Sequence, residues 1–222
     1  VNRSLFISKE PDEVTDLVTW CRQQDIELHA QAMIAFNAVP FQQLKAHPIV
    51  FFSSKRAVHF YFSQAHKFQQ NTLVACIGKA TAAYLEGLGY PVHFCGEEAG
   101  EPEKVAEQFL AWVGERSVFF PVSTKSLQSI SGIFPPNQCE VQEVYETIYQ
   151  TKPIASCTTY VFSSPSNVEA FLMSNAVPKE AKCIAWGKST AQALIKNHMQ
   201  VQHTLTTASL QELLAYLSVE QA

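Results

Sequence analysis

At 222 residues, with 47% hydrophobic and 16% charged side chains, the chain is long enough for two domains and too apolar to be largely disordered. A formal net charge of −4 disfavours nonspecific attraction to nucleic acid or acidic membrane, which leaves small molecules as the expected partners. A monomer is the expected state. No window approaches the roughly 18 uncharged apolar residues of a membrane span, and the first residues lack the basic-then-apolar layout of a signal peptide, so the expected location is cytoplasmic.

Short β-rich runs alternate with amphipathic stretches, the pattern of an α/β protein whose parallel sheet is covered by helices on both faces. Leu5-Phe6-Ile7 predicts a strand. Residues 11–24 predict a helix opened by Pro11 and Asp12, with Val14, Leu17, Val18 and Cys21 on one face. Residues 27–36 read as a returning strand. Strands follow near 48–53, 72–77 and 91–95, with helices near 55–67, 79–89 and 102–113. Next come a strand at 118–122, a turn of helix at 127–130 and a strand at 139–149. The remainder runs through strands near 159–163, 182–186 and 200–203 to a last helix at 210–217.

Two pairs of turns recur. Ile49-Val50-Phe51-Phe52 ends in Ser53-Ser54, and Leu73-Val74-Ala75-Cys76-Ile77 ends in Gly78-Lys79-Ala80-Thr81. Tyr160-Val161-Phe162 ends in Ser163-Ser164, and Cys183-Ile184-Ala185-Trp186 ends in Gly187-Lys188-Ser189-Thr190. Ser53 and Ser163 stand 110 residues apart and Thr81 and Thr190 stand 109 apart, so the chain is duplicated. The second copy lacks a strand-helix-strand after its last helix, and residues 3–36 supply it. One lobe is therefore discontinuous: residues 1–37 plus 153–222 form lobe one and 40–147 form lobe two, each a doubly wound parallel sheet of about five strands. The crossings at 36–40 and 148–153 form a paired two-strand linker, a hinge that permits lobe rotation around a cleft.

Ligands of doubly wound sheets bind beyond the carboxyl ends of the strands, where all four turns fall. Each turn opens a helix, whose first N–H groups lack internal partners and favour a carboxylate or phosphate by roughly 0.3–1 kcal/mol. Helix capping by Ser53, Ser163, Thr81 and Thr190 is the plainer reading of any one turn, but capping does not require Gly-Lys beside it. Lys9, Lys55, Arg56, Lys79, Lys125 and Lys188 lie at or just past strand ends, which makes this surface basic within an acidic chain. The candidate binding residues are Ser53, Ser54, Lys55, Arg56, Gly78, Lys79, Ala80, Thr81, Ser163, Ser164, Gly187, Lys188, Ser189, Thr190 and Lys9. Tyr145, on the strand entering the second crossing, is the candidate proton or hydrogen-bond donor, with Tyr149 a nearby competitor. No GxGxxG or GxxxxGK[ST] occurs, so no dinucleotide or nucleoside triphosphate is indicated. The six cysteines form no CxxC pair and the seven histidines, His59 and His66 included, lack metal-ligand spacing, so buried thiols and no metal are expected.

Phe52-Ser53-Ser54-Lys55-Arg56-Ala57-Val58, Ile77-Gly78-Lys79-Ala80-Thr81-Ala82, Val144-Tyr145-Glu146-Thr147, Val161-Phe162-Ser163-Ser164-Pro165-Ser166 and Gly187-Lys188-Ser189-Thr190-Ala191 together resemble the uroporphyrinogen-III synthase family. The resemblance spans nearly the whole chain and implies two flavodoxin-like lobes, hydroxymethylbilane with its eight carboxylates as substrate, and no cofactor. It further implies loss of the terminal hydroxyl as water, a spiro intermediate and closure with ring D inverted. Tyr145 matches the family tyrosine that assists hydroxyl departure; Thr81, Thr190, Ser54 and Ser164 match residues of the binding turns. Lys9 stands where many members have arginine, and the segment ending at Lys125 lacks another, so fork-shaped carboxylate contacts there become point-charge contacts. The alternative from another class is a non-catalytic two-lobe binding or sensor protein for an anionic metabolite.

Overall fold

A computed structural model of the chain describes residues 3–43, 45–64, 67–68, 71–98 and 100–219. His66 and the predicted helix positions 65–66 lie outside them. In chain order the strands are β1 (Ser4–Ile7), β2 (Glu27–Ala30), β3 (Ile34–Ala38), β4 (Ile49–Phe52), β5 (Leu73–Cys76), β6 (Phe94–Cys95), β7 (Val118–Ser123), β8 (Cys139–Tyr149), β9 (Thr159–Phe162), β10 (Lys182–Ala185) and β11 (Val201–Thr204). The helices are α1 (Thr15–Gln23), α2 (Lys55–Ser63), α3 (Lys79–Gly87), α4 (Pro102–Val113), α5 (Pro165–Leu172), α6 (Lys188–Lys196) and α7 (Leu210–Val219).

The chain divides into two compact units, Val1–Ala35 with Ile148–Ala222, and Phe36–Thr147. The first holds a parallel sheet in the order β2-β1-β9-β10-β11. The second is ordered β3-β8-β7-β4-β5-β6, with its five strands from β8 to β6 parallel. Matching β7-β8 to β1-β2 and β4-β5-β6 to β9-β10-β11 makes the two sheets circular permutations of one another. That permutation is why the repeated turns keep a nearly constant offset while the strand-helix-strand moves from the end of one copy to the start of the other. In both sheets the winding reverses at a central pair, β1/β9 and β7/β4, the topological switch point at which such folds bind ligands.

Central strands read as continuous apolar runs because helices cover both faces. Phe51, Phe109 and Phe120 pack on one side of the second sheet, and Phe52, Tyr61 and Phe119 on the other. In the first, Phe6, Phe162 and Phe171 lie opposite Ile7, Leu17 and Val161. Cys76 and Cys183 are buried at matching positions, and burial pushes their thiols up to about 12 and about 11. Cys95 and Cys139, by contrast, are only partly buried.

Three expected elements take a different form. The strand expected over 27–36 breaks into β2 and β3, because the Met33 N–H donates to the Asn167 Oδ1 at 2.9 Å instead of entering a ladder. β3 then neighbours β8, with Val39 N–H donating to the Val144 carbonyl and Gln150 N–H to that of Met33, an antiparallel pairing. The helix expected over 11–24 opens as a 3₁₀ turn at Pro11–Val14. The helical turn expected at 127–130 falls instead at Ser131–Ile133, where Ile130, Ser131 and Phe134 are buried and Leu127 is exposed.

The start of α7 carries an acid-sensitive anchor. The Glu212 carboxylate accepts from the N–H and hydroxyl of both Thr206 and Thr207 at 2.6–2.7 Å, and these bonds hold its pKa at about 2, below the ordinary 4.5. A depressed carboxylate stabilises the fold above its unfolded value and loses that contribution as pH falls through the folded one. Glu212→Gln is therefore expected to lower Tm at pH 7, with the gap to the parent chain closing between about pH 4.5 and pH 2 in thermal melts. A gap independent of pH would show that the carboxylate charge is not what these donors hold.

Candidate functional site

In the first unit, β1 and β9 end in Ser8 and Ser163, which bind each other directly. The Ser163 N–H donates to Ser8 Oγ at 2.7 Å, and the Ser163 hydroxyl donates to the Ser8 carbonyl at 2.7 Å. Ser164 caps α5 by accepting from the Asn167 N–H at 3.3 Å. Asn167, 4% exposed, ties the cluster together: its Nδ2 donates to Ser163 Oγ and Ser164 Oγ while its Oδ1 accepts from Met33. Asn167→Ala leaves that buried N–H unsatisfied and is expected to destabilise the first unit by about 1–3 kcal/mol, read from the urea midpoint at constant slope.

Ser54 plays the matching part in the second unit, capping α2 by accepting from the Ala57 N–H at 3.1 Å. Ser53 turns into a cavity of about 220 Å³ walled by Phe51, Ile77, Phe120 and Ile130. The serine turn of the first unit is thus satisfied within the fold, and in the second Ser54 serves as a helix cap.

The glycine turns lack a side-chain cap, Gly78 being buried and Gly187 partly exposed. α3 and α6 start at Gly78 and Gly187, neither of which has a side chain to cap the helix, and both have extended backbone. A Cβ built on Gly187 meets no atom within 4 Å, so neither conformation nor crowding demands glycine there. What glycine provides at Gly187 is unobstructed approach to the N–H groups of the helix start. Lys79, Ala80, Lys188 and Ser189 beside these starts are exposed, whereas Thr81 and Thr190 are 4% and 2% exposed.

Charge placement points the same way. Lys55 and Arg56 open α2, Lys79 opens α3 and Lys188 opens α6, and none of these first turns contains an acid. Cations at the positive end of a helix dipole are unfavourable, so these starts suit an anionic visitor. Lys9 sits 5.1 Å from the centre of the Trp186 ring and 3.5 Å from Glu13. Lys125 follows β7, its N–H donating to Ser123 Oγ at 3.2 Å.

Tyr145 lies opposite Ser123, where the β7–β8 register shifts, and its carbonyl accepts from the Thr124 N–H at 3.0 Å. Its ring stacks on Phe60 at 5.2 Å and meets the edge of Phe36 at 6.1 Å, while the Arg56 guanidinium lies 3.4 Å from the centre of Phe36. Tyr145 is 7% exposed, and its hydroxyl makes no hydrogen bond among the described residues. The competitor Tyr149 hydrogen-bonds Glu169 through its hydroxyl. Reading the sequence alone missed Ser8, Asn167, Phe36, Phe60 and Trp186; a serine directly after the first apolar run was the one local signal.

A duplicated, permuted pair of doubly wound units with uncapped, cation-flanked helix starts defines a two-lobe α/β protein suited to a polyanion. Residues 16–215 match the family described as HEM4, uroporphyrinogen-III synthase HemD. The chain belongs to that family. It is accordingly an enzyme, a lyase of haem biosynthesis acting on a tetrapyrrole, and the non-catalytic sensor reading is set aside. A search of curated proteins finds no match. Among solved structures the chain is similar to the uroporphyrinogen-III synthetase of Helicobacter pylori, at 16% identity and a TM-score of 0.75 over 99% of this chain and all of that one. It is also similar to a mutant uroporphyrinogen III synthase of Thermus thermophilus, at 12% identity and a TM-score of 0.67 over 99% of each chain. Both bear on the fold. No helix among the described residues is long and apolar enough to cross a membrane.

Proposed function

We propose that the chain converts hydroxymethylbilane to uroporphyrinogen III, acting as a cytoplasmic monomer without a cofactor. The terminal hydroxyl leaves as water, the chain closes through a spiro intermediate, and ring D emerges inverted. Tyr145 hydrogen-bonds the departing hydroxyl. Backbone donors at the starts of α3 and α6, with Lys79 and Lys188, hold substrate carboxylates; Lys55, Arg56 and Lys9 add point charges. Ser53, Ser54, Ser163 and Ser164 shape the turns, and Ala80, Thr81, Ser189 and Thr190 complete the uncapped helix starts.

The observation that carries this reading is the repetition, in both units of a family member, of a glycine-started, lysine-flanked helix that no side chain caps. Because the free bilane cyclises unaided without inversion, the enzyme's task is to select one folded conformer, which suits many modest contacts better than one strong acid. One carboxylate–cation contact at 4 Å is worth about 1 kcal/mol in water and about 4 at an effective dielectric near 20, so several partly desolvated contacts suffice to bias the fold of the bilane. The test is turnover of freshly prepared hydroxymethylbilane with the product isomers resolved. Inverted product formed faster than the enzyme-free reaction is expected; uninverted product at the enzyme-free rate overturns the proposal.

A further inference from the structure

We propose that the depression on the second unit lined by Phe36, Lys55, Arg56, His59, Phe60 and Tyr84 is a subsite for one carboxylate-bearing pyrrole ring of the substrate. The inference rests on the synthase reading and deepens it. The depression is shallow and open to solvent, with a volume of about 450 Å³. Its chemistry is divided. Positions 55, 56, 59 and 60 fall on one face of α2 and supply three basic groups and a ring, while Tyr84 comes from α3 and Phe36 from β3. No acidic residue is among those lining it, and Lys55 and His59 make no ion pair among the described residues. Phe36, Phe60 and Tyr84 in the lining are partly exposed, and rings of this kind can stack on a flat electron-rich ring.

Two of these rings, Phe36 and Phe60, are the ones that hold Tyr145. A pyrrole seated there shares a wall with the phenol. Lys55 and Arg56 stand at the positive end of α2, in a first turn that contains no acid, and offer their charge to the ring's acid arms.

The experiment is an NMR titration of the full chain with a monocyclic pyrrole bearing two short carboxylic-acid arms, beside its dimethyl ester and glutarate. The diacid pyrrole is expected to shift the amides of residues 55–60 and to bind at least tenfold more tightly than either control. Lys55→Gln and His59→Gln are each expected to weaken it about 3- to 10-fold, and Tyr84→Leu by a similar factor. Shifts confined elsewhere, glutarate binding as well as the pyrrole, or variants binding like the parent chain overturn the subsite. The titration needs no turnover, so it decides the subsite even where the isomer-resolved assay goes against the synthase reading.

Discussion

Tyr145→Phe is expected to slow turnover of hydroxymethylbilane by about 100-fold, the lower end of what a positioned acid–base group contributes, without loss of folded protein. The substitution removes one oxygen and keeps the ring, so the stack on Phe60 and the edge contact with Phe36 survive. Because the hydroxyl has no hydrogen-bond partner among the described residues, its loss leaves no group in the fold unsatisfied. Stability should therefore hold within about 0.5 kcal/mol or rise slightly. Single-turnover kinetics with isomer separation, paired with urea unfolding, measures both quantities. Unchanged turnover removes Tyr145 from the chemistry; slow turnover with a large loss of stability makes it a packing residue.

Phe109→Ala should be the costliest change to the fold, destabilising the second unit by about 3–5 kcal/mol. Phe109 is fully buried on α4, with ring centres of Phe51, Phe94, Phe134 and Trp112 within 4.5–5.9 Å. These side chains come from four separate segments of the unit, so a void there cannot close by one local shift. Two units need not unfold in a single step, so hydrogen exchange resolved by residue is the suitable readout. Protection should fall in β4, β5 and β7 and persist in β1, β9 and β10. A loss below about 1 kcal/mol would mean that the cluster repacks and is not the core of that unit.

The strands were legible where burial is continuous, because apolar runs such as 49–52 and 160–162 are covered on both faces and need no partner information to be recognised. The four turns were legible for a related reason: in parallel sheets a strand ends where a helix begins, so site residues and their scaffold are adjacent in sequence. The break between β2 and β3 was not legible. It comes from Asn167, 134 residues away, whose side chain takes the Met33 N–H, and no glycine or proline marks the place. The Ser8–Ser163 link spans 155 residues and is equally silent locally. The setting of Tyr145 was hidden for the same reason: Phe36 and Phe60 look like ordinary pattern residues, and Arg56 like a basic turn residue with no tie to Tyr145, until β3 and α2 are packed around β8.

If backbone donors at the uncapped helix starts hold the carboxylates, proline at the first helical position should weaken that hold by removing one of them. Proline there removes one N–H and leaves the helix intact, as Pro165 already does in α5, and the extended backbone of Gly78 and Gly187 accepts a following proline. Lys79→Ala and Lys188→Ala remove the ammonium alone, whereas Lys79→Pro and Lys188→Pro remove both ammonium and donor. Isomer-resolved kcat/KM should fall about tenfold further in each proline variant than in its alanine counterpart, the worth of a hydrogen bond to a charged group, with more uninverted product. Proline and alanine variants that behave alike, with the inverted isomer undiminished, would contradict the account.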